Sequence, residues 1–443
     1  MLKSSGFSCT VDFLNALQRF LTYMIKLPEL LAPAGDLESL QAALYYGADA
    51  IYFASKQFSL RAGADNFDEP TLLDAIALCS KQGKKSYITC NIFGRNSDFA
   101  QLKDYLQFLN VAKPNALIAS DPGVIEYAKL YAPDIDIHLS TQANTSNAQS
   151  ALFWARQGIK RLVLSRELSL EEICEIRAAL PTEVELETFV HGAMCVAYSG
   201  RCLLSSFVSN RSANRGACAQ HCRFEYAISE KGRENAQTLT MGEDERGTYI
   251  LNSKDLNLLM HLDKLTEAGI ASFKIEGRAK TAYYVANVVN AYRRALAVYA
   301  SKKTNTKKEE LLKPLYGELY KASHREFFTG FYFDEGANGQ CYPFSRPQAN
   351  YQFIAVVQGD KEGWVQVQQR NKFEVGDTLE VLSPSTKFNQ TFTVTQIVDE
   401  WGKEVQVANK VKQKLFLKIP FILKKGDILR KDLTEAVKLG KVF

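Results

Sequence analysis

The chain has 443 residues, of which 46% are hydrophobic and 23% are charged. This composition supplies a large core and excludes long disorder. No apolar run reaches the roughly 18 to 20 residues that a membrane-spanning helix needs, and no secretory signal pattern is present, so we expect a cytoplasmic protein without a membrane partner. Because that compartment is reducing, disulfide bonds are a poor explanation for the nine cysteines.

The net charge of +5 is unevenly distributed. Residues 401–443 hold 11 Lys+Arg and 4 Asp+Glu, a net charge of +7, and the rest of the chain is close to neutral. A basic terminal segment fits a polyanion such as RNA, although a solvated surface explains the charge equally well. Strand alternation places even-numbered positions on one face, so the candidate RNA-binding residues are Lys410, Lys412, Lys414 and Lys418.

Residues 1–25 are expected to be an extension, with Met24 as a plausible true start. From residue 26 to about residue 300, apolar strand-like runs alternate with helical patterns, as in βα units. Eight strands, each followed by a helix, indicate an α/β fold of the (β/α)8 TIM-barrel type, with a doubly wound open sheet as the alternative. The strand candidates are PELLAPAG, DAIYFAS, KSYITCNIF, ALIASD, DIHLSTQ, RLVLSRE, VELETFVHG and SFKIEGR.

Polar side chains follow these strands, and a barrel gathers its functional groups at the carboxyl ends of its strands. Arg61, Arg166 and Arg278 suit a carboxylate-rich small molecule or an RNA phosphate, because guanidinium offers a bidentate fork; ion pairs with neighbouring Glu explain them equally well. The complete set of strand-end residues is Arg61, Asn91, Asp121, Gln142, Arg166, Glu167, His191, Glu276 and Arg278. Asn91 and Gln142 join the three arginines as candidate substrate-binding residues.

Three further residues are candidate proton handlers: Glu187, His191 and Glu276. A carboxyl or imidazole group at a strand end can transfer a proton to or from a bound substrate. For Glu187 the structural alternative is a hydrogen bond at the end of its strand.

A long excursion, residues 192–250, follows the seventh strand and holds Cys195, Cys202, Cys218 and Cys222. Four soft sulfur ligands suit zinc or an iron–sulfur cluster, although the gaps do not match the paired C-x2-C spacing of zinc ribbons. Free structural thiols remain an alternative. So does a catalytic cysteine served by a nearby histidine. Cys79 and Cys90 lie in apolar helical and strand patterns and are predicted to be buried.

The chain after the barrel divides into two parts. Residues 301–344 are expected to form a linker and helical segment. Short alternating runs separated by turn residues then predict a small, basic C-terminal β-barrel over residues 345–443.

The stretch ETFVHGAMCVAYSGRCLLS, Glu187–Ser205, resembles the signature of peptidase family U32, the collagenase-like proteases, and meets each of its fixed positions. The resemblance covers roughly residues 26 to 440 and is strongest to the branch of the family that takes part in tRNA hydroxylation. Other segments that resemble this family are PELLAPAGD, SLRAGADNF, HLSTQAN, SRELSLEEI, YILNSKDL and FKIEGRAKTAYYV.

The resemblance implies that the four cysteines of the excursion hold an iron–sulfur cluster, of the 4Fe–4S type. It further implies tRNA as the partner and 5-hydroxyuridine at the wobble position as the product, with prephenate as co-substrate and no molecular oxygen. Two other functions stay open: a collagenase-like peptidase, and a non-enzymatic RNA-binding protein with a structural metal. No recognisable protease motif supports the first of these. The oligomeric state is not predicted.

Overall fold

The structure is a computed structural model that describes residues 27–60, 64–195, 197–223, 243–244, 247–248, 253–333, 348–361 and 363–434. The predicted N-terminal extension, the start at Met24 and the candidate residue Arg61 lie outside this part of the chain. Within it, the helices are all too short or too polar to cross a membrane.

Eight parallel strands form a closed barrel. The first seven strands of the barrel pair in sequence, each with the next. The eighth, Ser272–Ile275, pairs with both the seventh, Glu185–Ala193, and the first, Glu29–Pro33, which closes the sheet. The TIM-type barrel is therefore confirmed and the open sheet is excluded. The barrel strands are β1–β7 and β11, and the strands of this part of the chain are β1 Glu29–Pro33, β2 Ala50–Phe53, β3 Lys85–Cys90, β4 Ala116–Ala119, β5 Asp136–Leu139, β6 Arg161–Val163, β7 Glu185–Ala193, β8 Glu243–Asp244, β9 Gly247–Thr248, β10 Asp255–Asn257, β11 Ser272–Ile275 and β12 Phe327–Phe328.

Helices surround the barrel, and local capping explains where several begin. Asp68 precedes α2 and accepts a hydrogen bond from the backbone N–H of Thr71, and Ser169 forms a capping box with Glu172 at the start of α6. The helices are α1 Leu37–Tyr45, α2 Glu69–Lys81, α3 Phe99–Ala112, α4 Pro122–Tyr131, α5 Ala148–Arg156, α6 Leu170–Ala179, α7 Leu204–Ser209, α8 Leu262–Glu267, α9 Ala282–Ala300 and α10 Asn305–Glu318.

One helical prediction is wrong in part. Residues 253–269 have helical apolar spacing, yet the segment begins with strand β10 and only its end forms the short helix α8. β7 is nine residues long and extends beyond the barrel, so its free edge offers backbone groups with which β10 pairs antiparallel. Backbone pairing to this edge outweighs the local helical preference.

The amino-terminal end of the barrel interior holds a buried ion cluster around Arg161. Its guanidinium contacts the carboxylates of Glu29, Glu185 and Glu187, at nitrogen–oxygen distances of 2.6, 2.5 and 3.1 Å. Burial raises the pKa of Glu29, but the nearby Arg161 outweighs burial and holds this pKa below its usual value. Three carboxylates thus neutralise one buried arginine, which identifies the cluster as a structural element.

The C-terminal part is an antiparallel β domain with its own apolar core. Seven of its strands form one sheet in the order β17-β16-β21-β13-β14-β20-β18, and the other two pair with each other. The strands are β13 Tyr351–Lys361, β14 Trp364–Gln369, β15 Phe373–Glu374, β16 Thr378–Leu382, β17 Thr391–Thr393, β18 Ile397–Asp399, β19 Val407–Ala408, β20 Lys414–Lys418 and β21 Ile428–Asp432.

A second buried arginine joins the two parts of the protein. Arg430 on β21 is fully buried and contacts the carboxylates of Glu318 and Glu380 at 2.7 and 2.5 Å. Its guanidinium also donates to the side-chain oxygens of Asn287 on α9 and Asn389. The β domain is therefore fixed to the barrel helices by a charged network that is complete only when both parts are present.

Candidate active site at the barrel mouth

The carboxyl ends of the strands surround a pocket of about 450 Å³, counting the part that opens to solvent. Five of the residues predicted from strand ends line it together: Asn91, Gln142, Arg166, Glu276 and Arg278. The pocket also exposes groups that the strand-end pattern did not identify, including Tyr52, Thr89, Ser140, Thr141, Phe189 and Lys274. Side chains from seven of the eight barrel strands, or from the loops that follow them, thus converge on one cavity.

Arg278 is buried in the pocket wall and held by neutral oxygens. Its Nη1 donates to Ser59 Oγ at 2.9 Å and to Thr89 Oγ1 at 3.0 Å, and its Nη2 donates to Asn66 Oδ1 at 2.5 Å. These three hydrogen bonds fix the orientation of the guanidinium in the pocket wall. Gly35 permits the close approach of the chain here, because a Cβ atom at Gly35 would lie 2.1 Å from the carbonyl oxygen of Arg278.

Arg166 offers a guanidinium edge to the pocket. Its Nη1 donates to the carbonyl oxygen of Ala193 at 2.9 Å, and its guanidinium lies 3.7 Å from the ring centroid of Phe189. Its Nε is buried without a hydrogen-bond partner among the described residues, and its Nη2 is 3.7 Å from Glu276 Oε2, which is longer than a hydrogen bond. Among the described residues, the carboxylate on this side of Arg166 is therefore that of Glu276, beyond hydrogen-bond distance from Nη2.

Lys274 adds a third cation, and the strand-end pattern missed it because it lies inside β11. Its Nζ donates to Glu187 Oε1 at 2.8 Å and lies 4.6 Å from the ring centroid of Tyr52. Lys274, Glu276 and Arg278 all line the pocket. The sequence signal for Lys274 is a lysine inside an otherwise apolar strand, SFKI.

The rim of the pocket holds neutral amides. Asn91 accepts from the backbone N–H of Leu60 at 3.3 Å and donates to Gln142 Oε1 at 3.3 Å, and Gln142 Oε1 also accepts from the hydroxyl of Ser140. Asp121 lies elsewhere, as the N-cap of α4. Five strand-end residues thus line one pocket, while their role in substrate binding stays a prediction; they are Asn91, Gln142, Arg166, Glu276 and Arg278.

Glu187 and His191 do not line the pocket. Glu187 is fully buried and forms ion pairs with Arg161 and Lys274, which is a structural role. A bulge in β7 skips Val190, so that His191 pairs with Ile275 and packs against Tyr284, Tyr292 and Phe327. Burial, with a smaller effect from Lys280, lowers the pKa of His191 to about 3, so this imidazole is neutral.

The cysteine-rich excursion packs on the rim of the same pocket. Glu167 accepts hydrogen bonds from the backbone N–H and the hydroxyl of Ser199, and Arg201 Nε donates to the carbonyl oxygen of Gln142 at 2.8 Å. Farther along, Arg215 forms a two-point contact with Asp98, at 2.7 and 2.8 Å. These contacts give a structural role to Glu167, a polar residue that follows a strand but does not line the pocket.

The four cysteines of the excursion are Cys195 and Cys218, which are exposed, and Cys202 and Cys222, which are half-buried. Four thiols on one segment are a donor set that suits iron or zinc. Across residues 27–434, leaving out the gaps in the description, no three His, Cys, Asp or Glu side chains are grouped closely enough to share a metal ion. The donor chemistry fits a cluster, and the ligand assignment stays a prediction.

Cys79 and Cys90 are buried as predicted, and burial raises the pKa of each thiol to about 12. Such thiols stay protonated and unreactive at neutral pH.

The four candidate lysines of the C-terminal domain are all exposed, but the argument that placed them on one face is wrong for two of them. β20 begins at Lys414, so only Lys414 and Lys418 alternate with the buried Leu415 and Leu417. Lys410 and Lys412 lie in the preceding turn, where Lys412 has a φ of 56°. A turn reverses the chain, and strand alternation does not extend through it.

A closed parallel barrel with a cationic pocket at the carboxyl ends of its strands and a long segment packed over the rim defines an enzyme-type architecture of the TIM-barrel class. Family models agree with the signature read from the sequence: "Peptidase family U32" matches residues 35–340 and "Peptidase family U32 C-terminal domain" matches residues 349–430. The chain belongs to peptidase family U32.

Relatives in this family have different names. A protein of Bacillus subtilis named "tRNA hydroxylation protein P1" is 38% identical over 92% of this chain and 95% of its own length. "Collagenase" of Porphyromonas gingivalis is 32% identical over 88% of this chain and 94% of its own length. "23S rRNA 5-hydroxycytidine C2501 synthase" of Escherichia coli is 34% identical over 60% of this chain and 39% of its own length.

Proposed function

We propose that this protein takes part in tRNA hydroxylation, forming 5-hydroxyuridine at the wobble position with prephenate as co-substrate and without molecular oxygen. The observation that carries the proposal is the pocket at the barrel mouth, in which Arg166, Lys274 and Arg278 face one lining carboxylate, Glu276. Relatives named for the hydroxylation of tRNA and of an rRNA cytidine support RNA as the substrate class.

The arginines of the pocket suit a small molecule with two carboxylates. Arg166 lines the pocket and can supply a positive charge to one carboxylate, with the face of Phe189 fixing the guanidinium plane. Arg278, held in place by Ser59, Asn66 and Thr89, supplies a second positive group. The amides of Asn91 and Gln142 can hydrogen-bond a hydroxyl or carbonyl group of the same ligand.

Glu276 is the carboxyl group best placed to move a proton at the substrate, because it lines the pocket. Glu187 serves instead to neutralise Lys274 and Arg161, and His191 serves to pack β7 against α9. The proposed proton handler is therefore Glu276 alone of the three predicted candidates.

We further propose that Cys195, Cys202, Cys218 and Cys222 hold the iron–sulfur cluster that the family resemblance implies. The cluster, when bound, would supply one-electron chemistry beside the pocket rim. The reducing cytoplasm keeps these thiols available for ligation. The contacts of Ser199 and Arg201 with the rim hold the excursion beside the pocket.

The family name and the collagenase relative favour a peptidase as the second candidate. A cysteine peptidase needs a thiol and a histidine base within hydrogen-bond reach. His191 is the base nearest in sequence to Cys195, and its side chain packs in the layer between β7 and α9. This placement favours the hydroxylation proposal.

Nucleoside mass spectrometry of tRNA from a deletion strain tests the proposal. Deletion should abolish or strongly reduce 5-hydroxyuridine and its derivatives, and a plasmid copy should restore them. Cys195→Ser and Cys218→Ser should fail to restore them and should lower the iron content of the protein purified without air. Cys79→Ser and Cys90→Ser are the matched controls, because these two buried thiols belong to a helix and a strand of the barrel and not to the excursion, and both should retain iron.

The opposite result would support the peptidase. If the purified protein cleaves gelatin, a Cys195→Ser variant stops the cleavage and the tRNA of the deletion strain is unchanged, the hydroxylation proposal is wrong.

A further inference from the structure

The outer face of the cysteine-rich excursion carries large apolar side chains in solvent. Phe207 on α7 is 80% exposed, and Leu203, Val208 and Tyr198 are each about half exposed. Leu203 and Phe207 are one helical turn apart, and the backbone N–H of Phe207 donates to the carbonyl oxygen of Leu203 at 3.0 Å, so both lie on one face of α7. An exposed apolar group of this size at the rim of a pocket indicates a contact surface.

The part of the excursion that carries this face, residues 191–223, is basic and contains no acidic residue. It contains four arginines. Arg215 is neutralised by Asp98, whereas Arg201 and Arg211 are exposed. The backbone N–H of Arg211 donates to the carbonyl oxygen of Ser205, which returns the chain to α7 beside the apolar face. Exposed aromatic and basic side chains thus alternate along residues 198–211 of the chain.

Arg201 joins this surface to the pocket. Its Nε donates to Gln142, whose side chain lines the pocket, and its guanidinium lies 5.4 Å from the ring centroid of Phe93. A molecule bound along the excursion therefore lies beside the opening of the cavity.

We propose that this face is a platform for the unpaired nucleotides of an RNA loop, with bases stacked on the ring of Phe207 and phosphates beside Arg201 and Arg211. Single-stranded RNA is typically recognised by aromatic rings that accept the faces of bases and by cations that follow the backbone. The proposal rests on the proposed function, for which it names the surface that receives the substrate loop. It assigns recognition of the loop to the excursion, and the lysines of the C-terminal domain are not part of this surface.

Charge decides between RNA and the other occupant of an exposed apolar face, a second copy of this chain. Two copies meeting through this face would bring exposed arginines together without a carboxylate from residues 191–223 of either copy. A phosphate backbone meets the same arginines with opposite charge. The face therefore suits a polyanion that also presents flat rings.

Fluorescence anisotropy tests the platform with two labelled RNAs of equal length, a stem-loop with a seven-nucleotide loop and a fully paired duplex. Phe207→Ala should weaken stem-loop binding by about five- to a hundredfold, the range expected when one stacked base is lost, and should leave duplex binding unchanged. Phe207→Tyr should restore stem-loop binding, because the ring is kept. Arg211→Gln should weaken binding and lower the slope of log affinity against log salt by roughly 0.7 to 1.

Trp401→Ala is the matched control, since Trp401 is an aromatic residue in the C-terminal domain that is 75% exposed. It should bind the stem-loop as the unaltered protein does. Equal stem-loop affinity of Phe207→Ala and the unaltered protein would overturn the platform. So would a monomer–dimer equilibrium that Phe207→Ala abolishes in sedimentation experiments, which would make the face a contact between copies.

The two proposals fail separately. If deletion of the gene leaves 5-hydroxyuridine unchanged but Phe207→Ala loses stem-loop binding, the proposed function is wrong and the platform stands. If deletion removes 5-hydroxyuridine but Phe207→Ala binds the stem-loop normally, the platform is wrong and the proposed function stands.

Discussion

The two ends of the barrel interior treat buried arginines differently. At the amino-terminal end, Arg161 contacts three carboxylates. At the mouth, Arg278 donates hydrogen bonds to the oxygens of Ser59, Thr89 and Asn66. The carboxylate described near Arg166 is that of Glu276, at 3.7 Å. The same barrel strands form both ends.

The difference agrees with our proposal that the charge at the amino-terminal end stabilises the fold and that the charge at the mouth binds a ligand. A buried cation surrounded by carboxylates gains its compensation from the protein itself. A cation oriented by neutral groups keeps its field directed into the pocket, where an anion can complete the compensation. Three carboxylates surround Arg161, and we propose on this ground that Arg161 is structural and that the arginines at the mouth bind the ligand.

The largest expected effect is that of removing the structural arginine. Arg161→Met should lower the free energy of unfolding by about 3–5 kcal/mol, because Glu29 and Glu187 lose the buried arginine that they share and keep only one lysine each, Lys85 and Lys274. Urea unfolding at pH 7 measures the loss. Arg156→Met, on the exposed face of α5, is the control and should change stability by less than about 0.5 kcal/mol.

The same variant carries a pH signature. The pKa of Glu29 should rise once Arg161 is gone, since only the smaller effects of Lys85 and Tyr87 then oppose burial. The stability difference between the variant and the unaltered protein should therefore shrink as the pH falls through 4.5, where the carboxylates take up protons. A constant difference down to pH 4 would show that the cluster is not held by charge.

The next effect concerns the ligand at the mouth. Prephenate at about a hundred times its dissociation constant should stabilise the protein by about 2.7 kcal/mol, and Arg166→Gln should lose most of that gain. The measurement is the shift of the melting temperature with and without prephenate. Arg156→Gln should keep the full shift. An unchanged shift in Arg166→Gln would remove Arg166 from the proposed ligand site.

A smaller effect comes from two neutral histidines packed in the barrel. Burial lowers the pKa of His138 well below its usual value, with Arg161 adding to the effect, and burial lowers that of His191 to about 3. Above pH 6.5 both are neutral whether the chain is folded or not. Below pH 6.5 the unfolded chain takes up protons that the folded chain refuses, so stability falls by up to about 1.4 kcal/mol per pH unit for each histidine.

The measurement is the free energy of unfolding between pH 7 and pH 5, above the range in which the carboxylates titrate. His138→Gln should flatten the slope by roughly one proton. A slope that is the same in His138→Gln and the unaltered protein would assign the pH dependence to other groups.

The smallest effect on stability is expected where charges are fully exposed. Changing Lys410, Lys412, Lys414 and Lys418 together to Gln should alter the free energy of unfolding by less than about 0.5 kcal/mol for each substitution. It should weaken tRNA binding and reduce its salt dependence, because phosphate contacts release counterions. Binding that is unchanged at every salt concentration would make these lysines a solvated surface.

Much of the barrel could be predicted because its signals are local. Each strand is a short apolar run bounded by turn residues, and Asp68 and Ser169 mark the starts of their helices by capping. The polar residue after each strand could be located for the same reason, since parallel strands bring their carboxyl ends to one edge. Five predicted residues therefore meet in one pocket without any knowledge of tertiary contacts.

The remaining parts of the site depend on contacts distant in the sequence. The bulge at Val190 turns His191 away from the pocket, and it forms where β7 pairs with β11. From the sequence, a charged residue such as Lys274 within an apolar strand is expected to be exposed. Its partner Glu187 lies on another strand, and the two side chains meet in the barrel interior. The strand β10 within a helical pattern forms because β7 has a free edge. Sequence periodicity contains none of these pairings.

The pairing of β1 with β11 determines when the pocket can form during synthesis of the chain. The two strands meet across 243 residues, as in the hydrogen bond from Ser272 to Glu29, and Gly35 fits against Arg278 only after they have paired. A ribosome-bound chain that has not yet released residue 278 holds the first strands without a partner on one side. Arg278 cannot reach Ser59 and Asn66 until then, so the pocket forms late and in one step.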